Sequence, residues 1–156
     1  FIRLQGSFLR LSIRKNDGMT ITLEGRTTFR SEKLSAFLRD CRDAVLMGAT
    51  AGKTIMDAIE EKTAQGNLTA AVVYDATASE MTDAALDWIM NYVNGQLRRE
   101  GRRLLPRRFS AGYADFALDH QKALHKKLQM DKIGVSITPD CILKPEKSVT
   151  AISAIP

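Results

Sequence analysis

The sequence is poor in the features that staple or anchor a small fold. Its 156 residues include two cysteines, Cys41 and Cys141. Two are too few for a disulfide framework, and without a secretory context both thiols are expected to stay free and buried, in a reducing cytoplasm. The two histidines, His120 and His125, lie five apart, off the four-residue spacing that sets two ligands on one helix face. No cysteine or acidic partner completes a zinc set beside them, so no metal site is expected. Apolar runs fall well short of the roughly 20 residues that span a bilayer, and the opening lacks the charged-then-apolar layout of a secretory signal. A soluble protein, with no membrane partner, is the expectation. Internal repeats and low-complexity linkers are missing too. One domain over residues 1–156 is therefore the default, and a chain of this length can bury a proper core without metals or disulfides. Because the chain starts on Phe1, further sequence ahead of it is expected.

Charge of one sign is not strongly in excess: 23 basic residues face 18 acidic ones, a formal net charge of +5. That balance favours acidic partners or anionic ligands but is too small to argue nucleic acid by itself. The basic residues do cluster, as Arg98, Arg99, Arg102, Arg103, Arg107 and Arg108. Cations near the carboxyl end of a helix complement its dipole, so the cluster reads as a solvated basic edge with Arg108 singled out. A basic nucleic-acid module is the rival reading, since such arginines could also meet phosphates.

What the chain does contain is clear periodicity. Phe8–Arg14 and Met19–Leu23 alternate apolar and polar residues around Asn16-Asp17-Gly18, which predicts a β-hairpin. Ser31 is placed to cap a helix over 31–47, with Leu34, Phe37, Leu38, Cys41 and Val45 on its inner face. Ala70–Asp75 has the look of an apolar strand, and a long helix is predicted over 79–99 with Met81, Ala84, Ala85, Trp88, Ile89 and Tyr92 inward. On that reading Trp88 is core. Asp115–Gln129 reads as a further helix with Leu118, Leu124 and Leu128 inward. Ile133–Ile137 and Val149–Ile155 read as strands. A hairpin, core helices and late strands together predict an α+β fold with a mainly antiparallel sheet.

Two stretches carry possible chemistry. Gly48–Thr54 ends in Gly-Lys-Thr, as a phosphate-cradling loop would, and Asp75 could then help to hold magnesium. The loop is one residue short, because the spacing puts Met47 where the first glycine belongs. A turn into a helix carrying Ile55, Met56 and Ile59 is the preferred reading, with a P-loop-like nucleotide-binding protein as the alternative. The second stretch is Arg108-Phe109-Ser110-Ala111-Gly112-Tyr113. Arginine offers a planar fork of donors that fits a carboxylate, glycine lets a ligand approach the backbone, and tyrosine adds an aromatic face with a polar tip. That combination suits an amino-acid-like ligand bearing a flat ring, although the same glycine and tyrosine could serve a turn and the core.

Three motifs in order favour the ligand-binding reading. The R-x-x-x-G-Y set (Arg108, Gly112, Tyr113), the strand Ile133-Gly134-Val135-Ser136-Ile137-Thr138 and the segment Pro145-Glu146-Lys147-Ser148-Val149 with its closing strand resemble the S-adenosylmethionine-binding reactivation (activation) domain of cobalamin-dependent methionine synthase. The resemblance is clearest over residues 108–155 and weaker over about 31–99. It implies a curved antiparallel sheet with packed helices, and S-adenosylmethionine as ligand. It also implies a role in methionine biosynthesis, re-methylating a cobalamin oxidised to its inactive cobalt(II) state with an electron from a flavodoxin-type donor. By the same resemblance Arg108 would grip the methionine carboxylate, backbone around Ala111 and Gly112 would contact the ligand, and Tyr113 would line the pocket. Acidic residues near the ligand's amino group are implied but not placed by any motif; Asp75 and Glu80 are the nearest in sequence. The chain has no D-x-H-x-x-G loop, so cobalamin would come on a corrinoid protein or on other methionine synthase modules. Such a domain orients cofactors that carry the hard chemistry and is a methyl-transfer partner more than a self-contained enzyme.

Overall fold

A computed structural model describes residues 1–156. The predicted hairpin is present as strands β1 (Gln5–Asn16) and β2 (Thr20–Leu23). Asp17 makes the turn between them, its Oδ1 accepting the amides of Met19 and Thr20 at 3.0 and 2.8 Å. β1 is long enough to change partners. Residues 5–12 pair with β4 (Asp43–Thr50) and residues 13–16 with β2, across an irregularity between Ile13 and Lys15. β3 (Thr27–Arg30) and β7 (Ser148–Ile155) complete an antiparallel sheet in the order β3-β2-β1-β4-β7. A strand that hands over from one neighbour to the next at an irregularity bends the sheet, and here it curls it into a half-barrel. The α+β class with a curved antiparallel sheet is thus present as expected.

The helix expected over 31–47 is a correction. Ser31 caps as predicted, its Oγ accepting the Leu34 amide at 3.0 Å, but α1 runs only from Glu32 to Phe37. Leu34 and Leu38 are buried, while Asp43–Thr50 forms the central strand. β4 is covered on both faces, so its side chains do not alternate in polarity, and a short continuous apolar run cannot be told from a buried helix by periodicity alone. Its odd positions Val45, Met47 and Ala49 join one apolar cluster, and Ala44 and Leu46 join the other.

The Ala70–Asp75 strand is also corrected, because these residues are the first turns of a longer helix. α2 (Lys53–Ala64) ends at a break, Asn67 Oδ1 accepts the Ala70 amide at 3.2 Å, and α3 then runs unbroken from Leu68 to Leu97. At 1.5 Å per residue its 30 residues span about 45 Å. The first half of α3 packs through Ala78 on Ile55 of α2 and on Ala51 just before it, and the second half lays Leu86, Ile89, Met90, Val93 and Leu97 on the sheet beside Val45, Met47 and Ile155. The buried stripe is therefore displaced by about one position from the predicted one. Of the residues assigned inward, Ile89 is buried and Ala85 partly so, whereas Trp88 is 67% exposed.

Across the sheet, α4 (Gln121–Lys127) contributes Leu124 to the larger cluster with Ile21, Phe29, Leu34, Leu46, Phe116 and Ile152. The helix expected over 115–129 is shorter than predicted: a single 3-10 turn at Leu118–His120 precedes α4, and Leu118 is 36% exposed. Of the expected strand at 133–137 only β5 (Ser136–Ile137) forms, paired with β6 (Leu143–Lys144). Both cysteines are free thiols, Cys141 buried and Cys41 half-buried, and burial pushes the Cys41 thiol up. No helix is long and apolar enough to cross a membrane.

Candidate functional site

The stretch before the R-x-x-x-G-Y motif is held against β7. Leu105 donates its amide to Ala154 O at 2.8 Å, and Phe109 exchanges both backbone bonds with Ile152 at 2.8 and 2.7 Å. The Ser153 hydroxyl lies 3.1 and 3.0 Å from the carbonyls of Leu105 and Arg107 and shares its single proton between them. Arg108 is thus carried on backbone that is almost strand-like, and its side chain crosses to α3. Its Nη1 meets Asp87 Oδ1 at 2.5 Å and its Nη2 meets Asp83 Oδ1 at 2.6 Å. The two aspartates sit four residues apart, on one face of the helix. The Arg108 side chain is 21% exposed and the aspartates are 66% and 62% exposed, so the pair of carboxylates opens to solvent above a mostly covered guanidinium. Desolvation works against the arginine's charge, but the hydrogen bonds from Asp87 and Asp83 outweigh it and the pKa is raised.

Beyond Phe109 the chain forms a tight loop. Gly112, at φ 91°, adopts a backbone angle that side chains disfavour and gives its amide to Phe116 O at 2.7 Å, while Tyr113 and Phe116 close two further turns. The Tyr113 ring is 65% exposed and meets the Phe109 ring edge-on at 5.3 Å. Ala111 is half-buried against the core. The four residues proposed for ligand contact therefore divide: Arg108 is anchored on α3, and Ala111, Gly112 and Tyr113 form the loop tip over Phe109, with no hydrogen bond joining the two parts.

Asp115 ties this loop to α1. Its carboxylate accepts the Ser31 hydroxyl at 2.6 Å and the Glu32 amide at 2.7 Å, with the Lys33 amide at 3.3 Å. Those bonds, the Ser31 hydroxyl foremost, hold the carboxyl below its ordinary range.

The third motif reaches the same side of α3. A polar hollow of about 230 Å³ is lined by Ser79, Thr82 and Asp83 from α3, by Glu146 and Lys147 just ahead of β7, and by Ser148 at its start. Asp83 is shared between the hollow and Arg108. Asp75, named from sequence neighbourhood, is instead held by Lys147 Nζ at 2.8 Å, and Glu80 has no ion pair. Asp83 and Asp87 belong to none of the three motifs, although two acids at i and i+4 on a predicted helix are a readable signal.

The glycine-rich decoy has a structural explanation. Gly48 lies inside β4, where an added Cβ would come within 3.0 Å of the Met130 side chain, so this glycine permits close packing. Lys53 opens α2 and pairs with Asp57 on its own helix at 2.9 Å, with its side chain 81% exposed. The segment is the expected turn and helix start. Within the basic cluster, Arg102 is tied to Asp43 and to the Pro156 carbonyl.

These features define an α+β domain whose curled antiparallel sheet carries, on its long helix, two carboxylates facing the arginine of a glycine-tyrosine loop. Among solved structures it matches the crystal structure of the MetH reactivation domain bound to AdoHcy, with a TM-score of 0.74 at 15% identity, covering 98% of this chain and 58% of that one. The chain thus has the fold of the MetH reactivation domain, which agrees with the resemblance read from its motifs. It spans little more than half the length of that protein. No protein-family model and no curated protein sequence matches it.

Proposed function

We propose that this chain is an S-adenosylmethionine-binding, reactivation-type domain that supports reductive methylation of a cobalamin held by a corrinoid protein or by methionine synthase modules. The observation that carries the reading is the Arg108–Asp83–Asp87 cluster, set beside an R-x-x-x-G-Y loop in a fold shared with an AdoHcy-bound domain. An amino-acid zwitterion needs a donor fork for its carboxylate and an acceptor for its ammonium. Arg108 supplies the first, since a guanidinium has five donors, of which two are engaged with the aspartates and a third reaches Met90 Sδ at 3.7 Å, leaving two. Asp83 and Asp87, open to solvent, supply the second. Exposed Tyr113 gives a ring face for a flat heterocycle. The residues present fit such a ligand.

When bound, S-adenosylmethionine supplies an activated methyl group, and this chain's part is to bind and orient it. On this reading cobalamin stays with the partner, as does the link to a flavodoxin-type electron donor. A titration series separates this from general anion binding. S-adenosylmethionine and S-adenosylhomocysteine are expected to bind, and 5′-methylthioadenosine, which lacks the amino-acid end, is expected to bind at least about 10-fold more weakly, the loss of one charge-assisted contact. Equal affinity for all three would remove the role given to Arg108 and the aspartates.

A further inference from the structure

Asp83 and Asp87 hold the same guanidinium from different places. Asp83 bonds Nη2 of Arg108 and lines the hollow of about 230 Å³, together with Ser79 and Thr82 of α3. Asp87 bonds Nη1 and does not line it. Four residues at 1.5 Å each set Asp87 about 6 Å further along the helix than Asp83, on the side away from Ser79. The nitrogen it holds is the covered one, because Nη1 also lies 3.7 Å from Sδ of Met90, a buried side chain.

We propose that Asp87 is a positioning residue: it holds Arg108 in the pose that meets a ligand's carboxylate and so leaves Asp83 to the ligand's ammonium. The inference rests on the S-adenosylmethionine reading of this site. Freedom is the first argument. The Arg108 side chain leaves backbone bonded to β7 and reaches across to α3, and an arginine is among the side chains that give up most rotamer freedom when they are fixed. A carboxylate on a rigid helix fixes it before the ligand arrives, so less freedom is lost on binding.

Competition for Asp83 is the second argument. A guanidinium and an ammonium both seek carboxylate oxygens, and Asp83 gives Arg108 only Oδ1. While Asp87 engages Nη1, a single Arg108 donor is spent on Asp83, and Oδ2 stays available. Without Asp87, Nη1 keeps only the thioether sulfur, a weak acceptor, and the guanidinium is free to take both oxygens of Asp83 in the bidentate geometry that arginine favours. The ammonium would then have lost its acceptor. Lys147, the other cation beside the hollow, does not compete, because Asp75 and Ser79 hold its Nζ, each at 2.8 Å.

Two ligands separate positioning from contact: S-adenosylhomocysteine and its analogue without the α-amino group. Calorimetry on the 156-residue chain should show Asp83→Ala weakening S-adenosylhomocysteine about 10-fold or more while the analogue binds no more weakly than to wild type. Asp87→Ala should weaken both, the analogue by roughly 2- to 12-fold, the effect of leaving one long side chain unordered. Asp87→Glu, which keeps the carboxylate, should restore the greater part. In the ligand-free chain the Arg108 Nε–H signal, assigned by its loss in Arg108→Lys, should exchange slowly with water in wild type and Asp83→Ala and rapidly in Asp87→Ala. Analogue affinity unchanged by Asp87→Ala, or an Arg108 signal as protected there as in wild type, would overturn the proposal. A wild-type chain that binds neither ligand, with Arg108 protection still lost in Asp87→Ala, would refute the S-adenosylmethionine reading and support the hold of Asp87 on Arg108.

Discussion

Phe116→Ala tests how the motif loop is fixed to the body of the domain. Phe116 is fully buried where the R-x-x-x-G-Y loop meets the sheet. Its ring meets Phe29 of β3 edge-on at 5.4 Å and stacks on His120 at 5.2 Å. Removing it costs the transfer free energy of the ring plus that of the cavity, about 3–5 kcal/mol for a buried phenylalanine. At 2–4 °C per kcal/mol for a domain of this size, the midpoint of thermal unfolding should fall by about 6–20 °C. Urea unfolding followed by circular dichroism should show a lower midpoint with an unchanged slope. Phe29→Ala should cost a similar amount. The double variant should cost less than the two together, because edge-to-face pairs contribute about 0.5–1.5 kcal/mol beyond their area and contacting residues couple. A loss under about 1 kcal/mol for Phe116→Ala would refute this packing and leave the loop without its anchor.

Asp115→Asn should lower stability at neutral pH. Because the folded-state pKa is depressed, that contribution is present above the unfolded carboxylate value, about 3.9, and fades as pH falls through the folded pKa; the gap between variant and wild type should close on the acid side. Acid titrations of both chains, followed by circular dichroism, would show it, and a gap constant down to pH 2 would contradict it. Asp83→Asn with Asp87→Asn should weaken S-adenosylmethionine binding while the fold is kept, since both side chains are more than 60% exposed; calorimetry with the double variant checks this. Lys53→Ala should change no nucleotide affinity, because Lys53 is engaged with Asp57 and Gly48 is a packing glycine. Magnesium-dependent ATP binding abolished by that substitution would restore the nucleotide-loop reading.

The hairpin, the Ser31 cap and the final strand were legible because each rests on local chemistry: alternation, an Asp-Gly turn and a side-chain cap. The misplaced elements share one cause, which is that tertiary covering decided their form. β4 is apolar throughout because both its faces are covered, and its residues read as the end of a helix. α3 carries two overlapping apolar stripes, one on the sheet and one on the uncovered flank, and the aromatic stripe with Trp88 drew the assignment. The Ala70–Asp75 run has strand-like composition, yet Asn67 caps it into helix. In the site, the motif residues were visible in sequence and Asp83 and Asp87 were visible as an i, i+4 acidic pair, but only the fold shows that Arg108 crosses to α3 to meet them. Asp115 joins segments more than 80 residues apart, a link that no local pattern reveals.

The central claim is that Arg108 recognises the amino-acid end of S-adenosylmethionine, and isothermal titration calorimetry on three variants tests it most directly. Losing a charge-assisted contact costs about 1.5–3 kcal/mol, so Arg108→Ala should weaken binding roughly 10- to 150-fold. Arg108→Lys should restore part of it, since lysine keeps the charge and loses the planar fork. Arg103→Ala removes a neighbouring exposed charge and should change affinity little. A large loss confined to Arg108 is the predicted result; equal losses from Arg103→Ala and Arg108→Ala, or no S-adenosylmethionine binding by the wild-type chain, would contradict the account.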